Sequence, residues 1–187
     1  MFEKDAIHQR GQALEDEFFH RVDEKLRQEL RAQLQREEAR ARLTAMTGFE
    51  GCQLLDHLID AGFSPSSLAA LALLPAVFVA WADGDVKHAE RQLILSAALH
   101  RGIKEEPTAF SMIEAWLAHR PPQSLWELWK EYFHALSQSM APTLATMLHQ
   151  EIVRLATAVA ESSGGYFGRG VVSKMEKSML DQIAEVN

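Results

Sequence analysis

The sequence predicts an all-α fold, and three observations carry that expectation. Apolar residues recur at steps of three and four over most of the chain. No stretch sustains the alternation of β-branched or aromatic residues with polar ones that marks a strand. The Asp83-Gly84 dipeptide, a hairpin signal elsewhere, here joins two helical patterns. A chain of 187 residues, 47% of them hydrophobic, buries roughly 70% of its unfolded surface and needs no disulfide or metal staple.

Residues 1–47 read as one long, charged, amphipathic helical arm, with Gly11 the one residue placed to interrupt it. Leu14, Phe18, Val22, Leu26, Leu30 and Leu34 recur every four residues. Each such step overshoots a turn by about 40°, so the stripe winds around a straight helix rather than forming a heptad seam. Asp23, Glu24, Glu29, Glu37 and Glu38 interleave with Lys25, Arg27, Arg31, Arg36, Arg40 and Arg42, as on a solvated face supported by i,i+4 pairs. The alternative is an arm that binds a partner or itself.

Gly48 and Gly51 mark the passage to a helical domain over residues 48–187. A short helix is expected over Cys52–Ala61, closed by Gly62. Ser64-Pro65 is a helix start, since a hydroxyl caps orphan amides and proline suits the first turn. The segment from there to Trp81 is almost wholly apolar. It falls short of the ~20 residues that span a bilayer, and Pro75 interrupts it, so it is expected to be the central core helix. Further helices are expected over Val86–His100, Pro107–His119, Pro122–Gln138, Pro142–Glu161 and Ser173–Val186. Trp116, Trp126, Trp129, Tyr132, Phe133 and Leu136 lie at helical spacing and read as core.

Composition narrows the function classes. The net charge is −7 and no basic run stands out, which argues against nucleic acid as a partner. Cys52 is the single cysteine. It excludes an intramolecular disulfide, fits the cytoplasm, and reads as a small buried hydrophobe. The start lacks the layout of a signal peptide. No membrane insertion is expected, which leaves peripheral association as the one membrane role.

Two segments echo each other. Ala80–Ile94 contains an Asp-Gly turn and then a helix with a glutamate in its first turn. Ala160–Leu180 contains a glycine-rich loop and a helix of the same kind. Setting Val86 on Val172 places Glu90 on Glu176, Ile94 on Leu180 and Ala98 on Ala184.

The motif Ala82-Asp83-Gly84-Asp85-Val86-Lys87-His88-Ala89-Glu90, with Val172-Ser173-Lys174-Met175-Glu176 as its second half, resembles the TerB-like (tellurite-resistance) family over residues 64–187. The resemblance implies a compact helical domain of two pseudo-repeated helix-turn-helix halves and an acidic divalent-cation site. It also implies a stress-response role near membrane assemblies, without a catalytic reaction. Asp83, Asp85 and Glu90 match the first motif and Glu176 the second. Ser163 and Gly164 stand where a second Asp-Gly is expected, and Glu161 lies just before that turn.

Asp83, Asp85, Glu90, Glu161 and Glu176 are therefore the candidate metal ligands, with Ca²⁺ or Mg²⁺ the ion that suits carboxylate oxygens. Gly84 supplies the positive φ the turn needs. Competing with this reading, Glu176 lies three residues after Ser173, the spacing of a capping box. At Glu90 the cap position is Lys87, which offers no acceptor, so Glu90 is not expected to be engaged in a cap.

Other chemistry is weaker. Glu17-Phe18-Phe19-His20 and Glu131-Tyr132-Phe133-His134 have the Glu-x-x-His spacing of di-iron carboxylate bundles, but eight histidines among many glutamates produce such pairs by chance. Gly164–Gly170 lacks the Lys-Ser/Thr of a phosphate loop and reads as a flexible connection tacked down by Tyr166 and Phe167. No nucleophile–base–orienter set is present. The sequence thus points to a cytoplasmic, non-catalytic helical module that binds a divalent cation and docks an unknown protein partner, the N-terminal helix being its candidate surface. A di-iron enzyme and a purely structural interaction module are the alternatives.

Overall fold

In a computed structural model of the chain, residues 2–162 and 172–186 are described, the side chains of residues 2–19 and Cys52 excepted. The described residues form eight α-helices and two 3-10 helices, with no strand among them. The all-α expectation holds. The chain divides into two compact units, Met1–Arg42 and Leu43–Asn187.

The first unit is the greater part of α1 (Phe2–Thr47), which continues unbroken through Gly11. Its charged pairs are the i,i+4 surface pairs expected. Lys25 Nζ lies 3.8 Å from Glu29, Arg42 lies 3.4 Å from Glu38, and the Gln33 amide donates to Glu37 at 3.2 Å. Such pairs contribute only ~0.2–0.5 kcal/mol each. The second unit begins inside α1 rather than after it. Leu43 is the first fully buried side chain among those described in the helix, so it is where the helix becomes part of a core. Beyond Thr47 the helix stops at Gly48, whose φ of +70° is left-handed and whose N–H donates to the Thr44 carbonyl at 2.8 Å. This is the usual chemistry of a glycine C-cap.

The second unit continues through α2 (Cys52–Asp60), a 3-10 helix (Pro65–Leu73), α3 (Leu74–Ala80) and α4 (His88–His100). A 3-10 turn (Ile103–Glu105), α5 (Pro107–Ala118), α6 (Gln123–Ser139), α7 (Pro142–Ser162) and α8 (Lys174–Glu185) complete it. All seven residues of α3 are buried, and α4, α6, α7 and α8 pack around it. The apolar segment expected as one helix from Pro65 to Trp81 is thus two. Proline in mid-helix lacks the N–H and clashes with the carbonyl four residues back. Restarting at Leu74 places Pro75 in a first turn, where it has no bond to make.

Of the residues expected in the core, Trp116, Trp126, Trp129 and Phe133 are buried, and Tyr132 and Leu136 are partly buried against them. Trp126 stacks on Trp129 at 4.8 Å between ring centres, Trp129 on Phe133 at 5.4 Å, and Phe78 tilts against Trp126 at 5.3 Å. The Trp81 indole N–H donates to the Trp116 carbonyl at 2.7 Å, and His149 Nε2 binds the Ile183 carbonyl at 2.9 Å, fastening α7 to α8. Among the described residues no single helix is long and apolar enough to cross a membrane.

Candidate functional site

The acidic turn follows directly from the end of α3. The Ala82 N–H donates to the Val79 carbonyl at 3.0 Å and the Gly84 N–H to that of Trp81 at 3.1 Å. Gly84 has φ +101°, the conformation the sequence assigns it, because L side chains rarely enter that region. The chain then reaches Lys87, the N-cap of α4.

Glu90 is three residues into that helix and fully buried, and its Oε2 accepts the Lys87 N–H at 2.8 Å. This corrects the expectation that a lysine at the cap position leaves Glu90 unengaged. The two bonds of a capping box are separable: the return bond requires only an N–H at the N-cap and a carboxylate three residues on. In α8 both bonds form. Ser173 N–H donates to Glu176 Oε2 at 2.6 Å, and Glu176 N–H donates to Ser173 Oγ at 3.1 Å. Glu176 is 1% exposed.

The two helix starts are therefore built alike, with Val86 and Val172 each packed against the core just ahead of them. Beyond the first turn the likeness fades. Ile94 and Ala98 are buried in α4, whereas in α8 Leu180 is half-buried, Ala184 is exposed and Ile183 is the buried residue.

Glu90 is only half satisfied. Its Oε1 is buried and has no hydrogen-bond partner. Burial pushes its pKa above the ordinary carboxylate value, and the charges of Asp83 and Glu176 add to that rise. The Lys87 N–H and the Lys87 ammonium oppose it. The ammonium itself lies 2.6 Å from Asp83 Oδ2. That bond is the main cause of the raised Lys87 pKa, which burial opposes and the charges of Asp83, Glu90 and Glu176 reinforce. Lys87 is thus a positive charge set among three carboxylates. Its position four residues after Asp83 and three before Glu90 was the available signal.

The structure sets the charges of Asp83 and Glu176 within reach of Glu90; Glu90 and Glu176 are buried, while Asp83, Asp85 and Glu161 are exposed. Among the described residues no group of three or more His, Cys, Asp or Glu side chains is gathered closely enough to hold an ion. Closing an ion site here requires side-chain rearrangement. Of the Glu-x-x-His pairs, Glu131 binds His57 Nδ1 of α2 at 2.8 Å, and His134 Nε2 lies 2.9 Å from the Gln138 amide nitrogen. The side chain of Glu17, that of Cys52, and the glycine-rich loop with Ser163, Tyr166 and Phe167 lie outside the described residues.

A further feature escaped the sequence: an apolar cavity of about 300 Å³ among Phe49, Leu68, Trp129, Tyr132, Leu148 and Ile152. Burial there raises the Tyr132 pKa. No family model matches this chain, and neither a curated protein nor a solved structure matches it.

Proposed function

We propose that the chain is a non-catalytic, cytoplasmic helical module of the TerB-like kind, serving a stress response, which binds a divalent cation at the acidic turn and docks a protein partner. The observation that carries the cation reading is the buried, partnerless Oε1 of Glu90 beside Asp83 and Glu176. An unsatisfied buried acceptor costs on the order of 1–3 kcal/mol, more when charged, and a bound cation would remove that cost. Hard oxygen donors of this kind suit Ca²⁺ or Mg²⁺. The Lys87 side chain is 43% exposed, so an arriving ion would displace a surface ammonium and then draw the buried Glu90 and Glu176 carboxylates toward it. Asp83, Glu90 and Glu176 would be the inner ligands. Asp85 and Glu161, at the surface, would act through water.

Titration of the metal-free chain with Ca²⁺, Mg²⁺, Mn²⁺ and Zn²⁺, read by calorimetry and melting temperature, tests this. Stabilisation by at least one ion is expected, lost in Asp83→Asn with Glu90→Gln and strengthened in Lys87→Met, where the competing ammonium is gone. A melting temperature indifferent to all four ions at millimolar concentration, in the parent and in Lys87→Met, would overturn it. The docking part of the proposal is supported by the exposed apolar row on α1.

A further inference from the structure

The exposed row on α1 has properties that identify its occupant. Val22, Leu26, Leu30 and Leu34 are 37%, 57%, 58% and 51% exposed, and the four-residue step continues in the sequence back to Phe18 and Leu14. A row of i±4n residues is itself one of the ridges along which helices interlock, and two such ridges pack at a crossing of about −50°. The surface therefore suits a second helix with the same ridge, and a long heptad partner would lose it within two turns.

Charge then distinguishes a copy of this arm from an arbitrary helix. From Glu3 through Glu24 there are seven carboxylates against three basic residues, and from Lys25 through Arg42 six basic residues against three carboxylates. The arm is acidic in its first half and basic in its second, with the apolar row straddling the change. Laid antiparallel on itself, acidic half meets basic half on both sides of the crossing. Laid parallel, like meets like.

We infer that the Met1–Arg42 arm pairs with the arm of a second copy of this chain, antiparallel and crossing at the Val22–Leu34 row. The inference rests on the docking part of the proposal above and is independent of the cation. Sedimentation equilibrium of the full chain over a wide concentration range tests it, with circular dichroism as the control for folding. The full chain is expected to reach twice the protomer mass. Leu26→Glu with Leu30→Glu should halve that mass at unchanged helicity. Arg27→Glu with Arg31→Glu and Arg36→Glu, which makes the whole arm acidic, should also halve it at low salt, because only an antiparallel pair loses its attraction by that change. A monomer at every concentration, a dimer that survives Leu26→Glu with Leu30→Glu, or one indifferent to the charge reversal would overturn the antiparallel pairing. None of these outcomes bears on the ion titration. Docking of some other protein on the arm is a separate matter, settled by whether a purified candidate binds the full chain and not the leucine variant.

Discussion

Glu90 concentrates the chemistry of this chain in one side chain. One carboxylate oxygen caps α4 by accepting the Lys87 N–H, and the other is buried without a partner. Removing the cap and removing the charge are therefore separable. Glu90→Ala orphans the Lys87 N–H and opens a hole, which should cost about 1–3 kcal/mol in urea denaturation. Glu90→Gln keeps an acceptor and deletes the charge, so it should lose clearly less. Equal losses would mean that the charge, not the cap, holds the turn. Tyr132 supplies a pH-dependent counterpart away from the turn. Burial raises its pKa, so the folded chain favours the neutral phenol. For an acid with a raised folded pKa, the stabilising contribution is present below the unfolded value and is lost as pH rises through the folded one. Stability should therefore fall above about pH 10, the ordinary tyrosine value. Tyr132→Phe should flatten that alkaline fall, as read by denaturant midpoints at successive pH values. An unchanged alkaline profile would place the titration elsewhere.

At the scale of elements, helix ends follow local rules that residue types announce. Gly48 ends α1 in the left-handed conformation, and a Cβ there would meet no other atom within 4 Å. The cost of Gly48→Ala is thus backbone strain alone, about 1–2 kcal/mol, visible as a lower denaturant midpoint at constant slope. Proline explains both where α5 and α7 begin and why the apolar segment after Ser64 breaks at Leu74. The break was the part that periodicity could not reveal. An apolar run reads the same in 3-10 and α winding, and only the clash at Pro75 separates them. Likewise the repeat was visible where it is local, in the two helix starts, and not where burial diverges. Which face of α8 turns inward is set by its neighbours, not by its own spacing.

At the scale of the molecule, the boundary between the units lies within a continuous helix. Composition changes at Gly48, which is where the sequence divides the chain, but Leu43 is already fully buried. A chain beginning at Leu43 should keep most of the melting temperature of the full chain, whereas one beginning at Gly48 should be markedly less stable. Leu43→Ala alone should cost roughly 2–5 kcal/mol, the range for emptying a buried leucine site. Two shortened chains of equal stability would show that Leu43 adds little to the core.

The sequence by itself determined the helical class, the proline- and glycine-marked helix ends, the core role of Trp116, Trp126 and Trp129 and the left-handed turn at Gly84. All of these depend on residues close in the chain, where propensity, capping and proline stereochemistry act. Tertiary packing decided that Glu90 and Glu176 are buried within reach of each other's charge, that Lys87 stands among the carboxylates, and that Asp85 and Glu161 are exposed. Those outcomes depend on how distant helix starts meet across the core, and no local pattern records a distance between them.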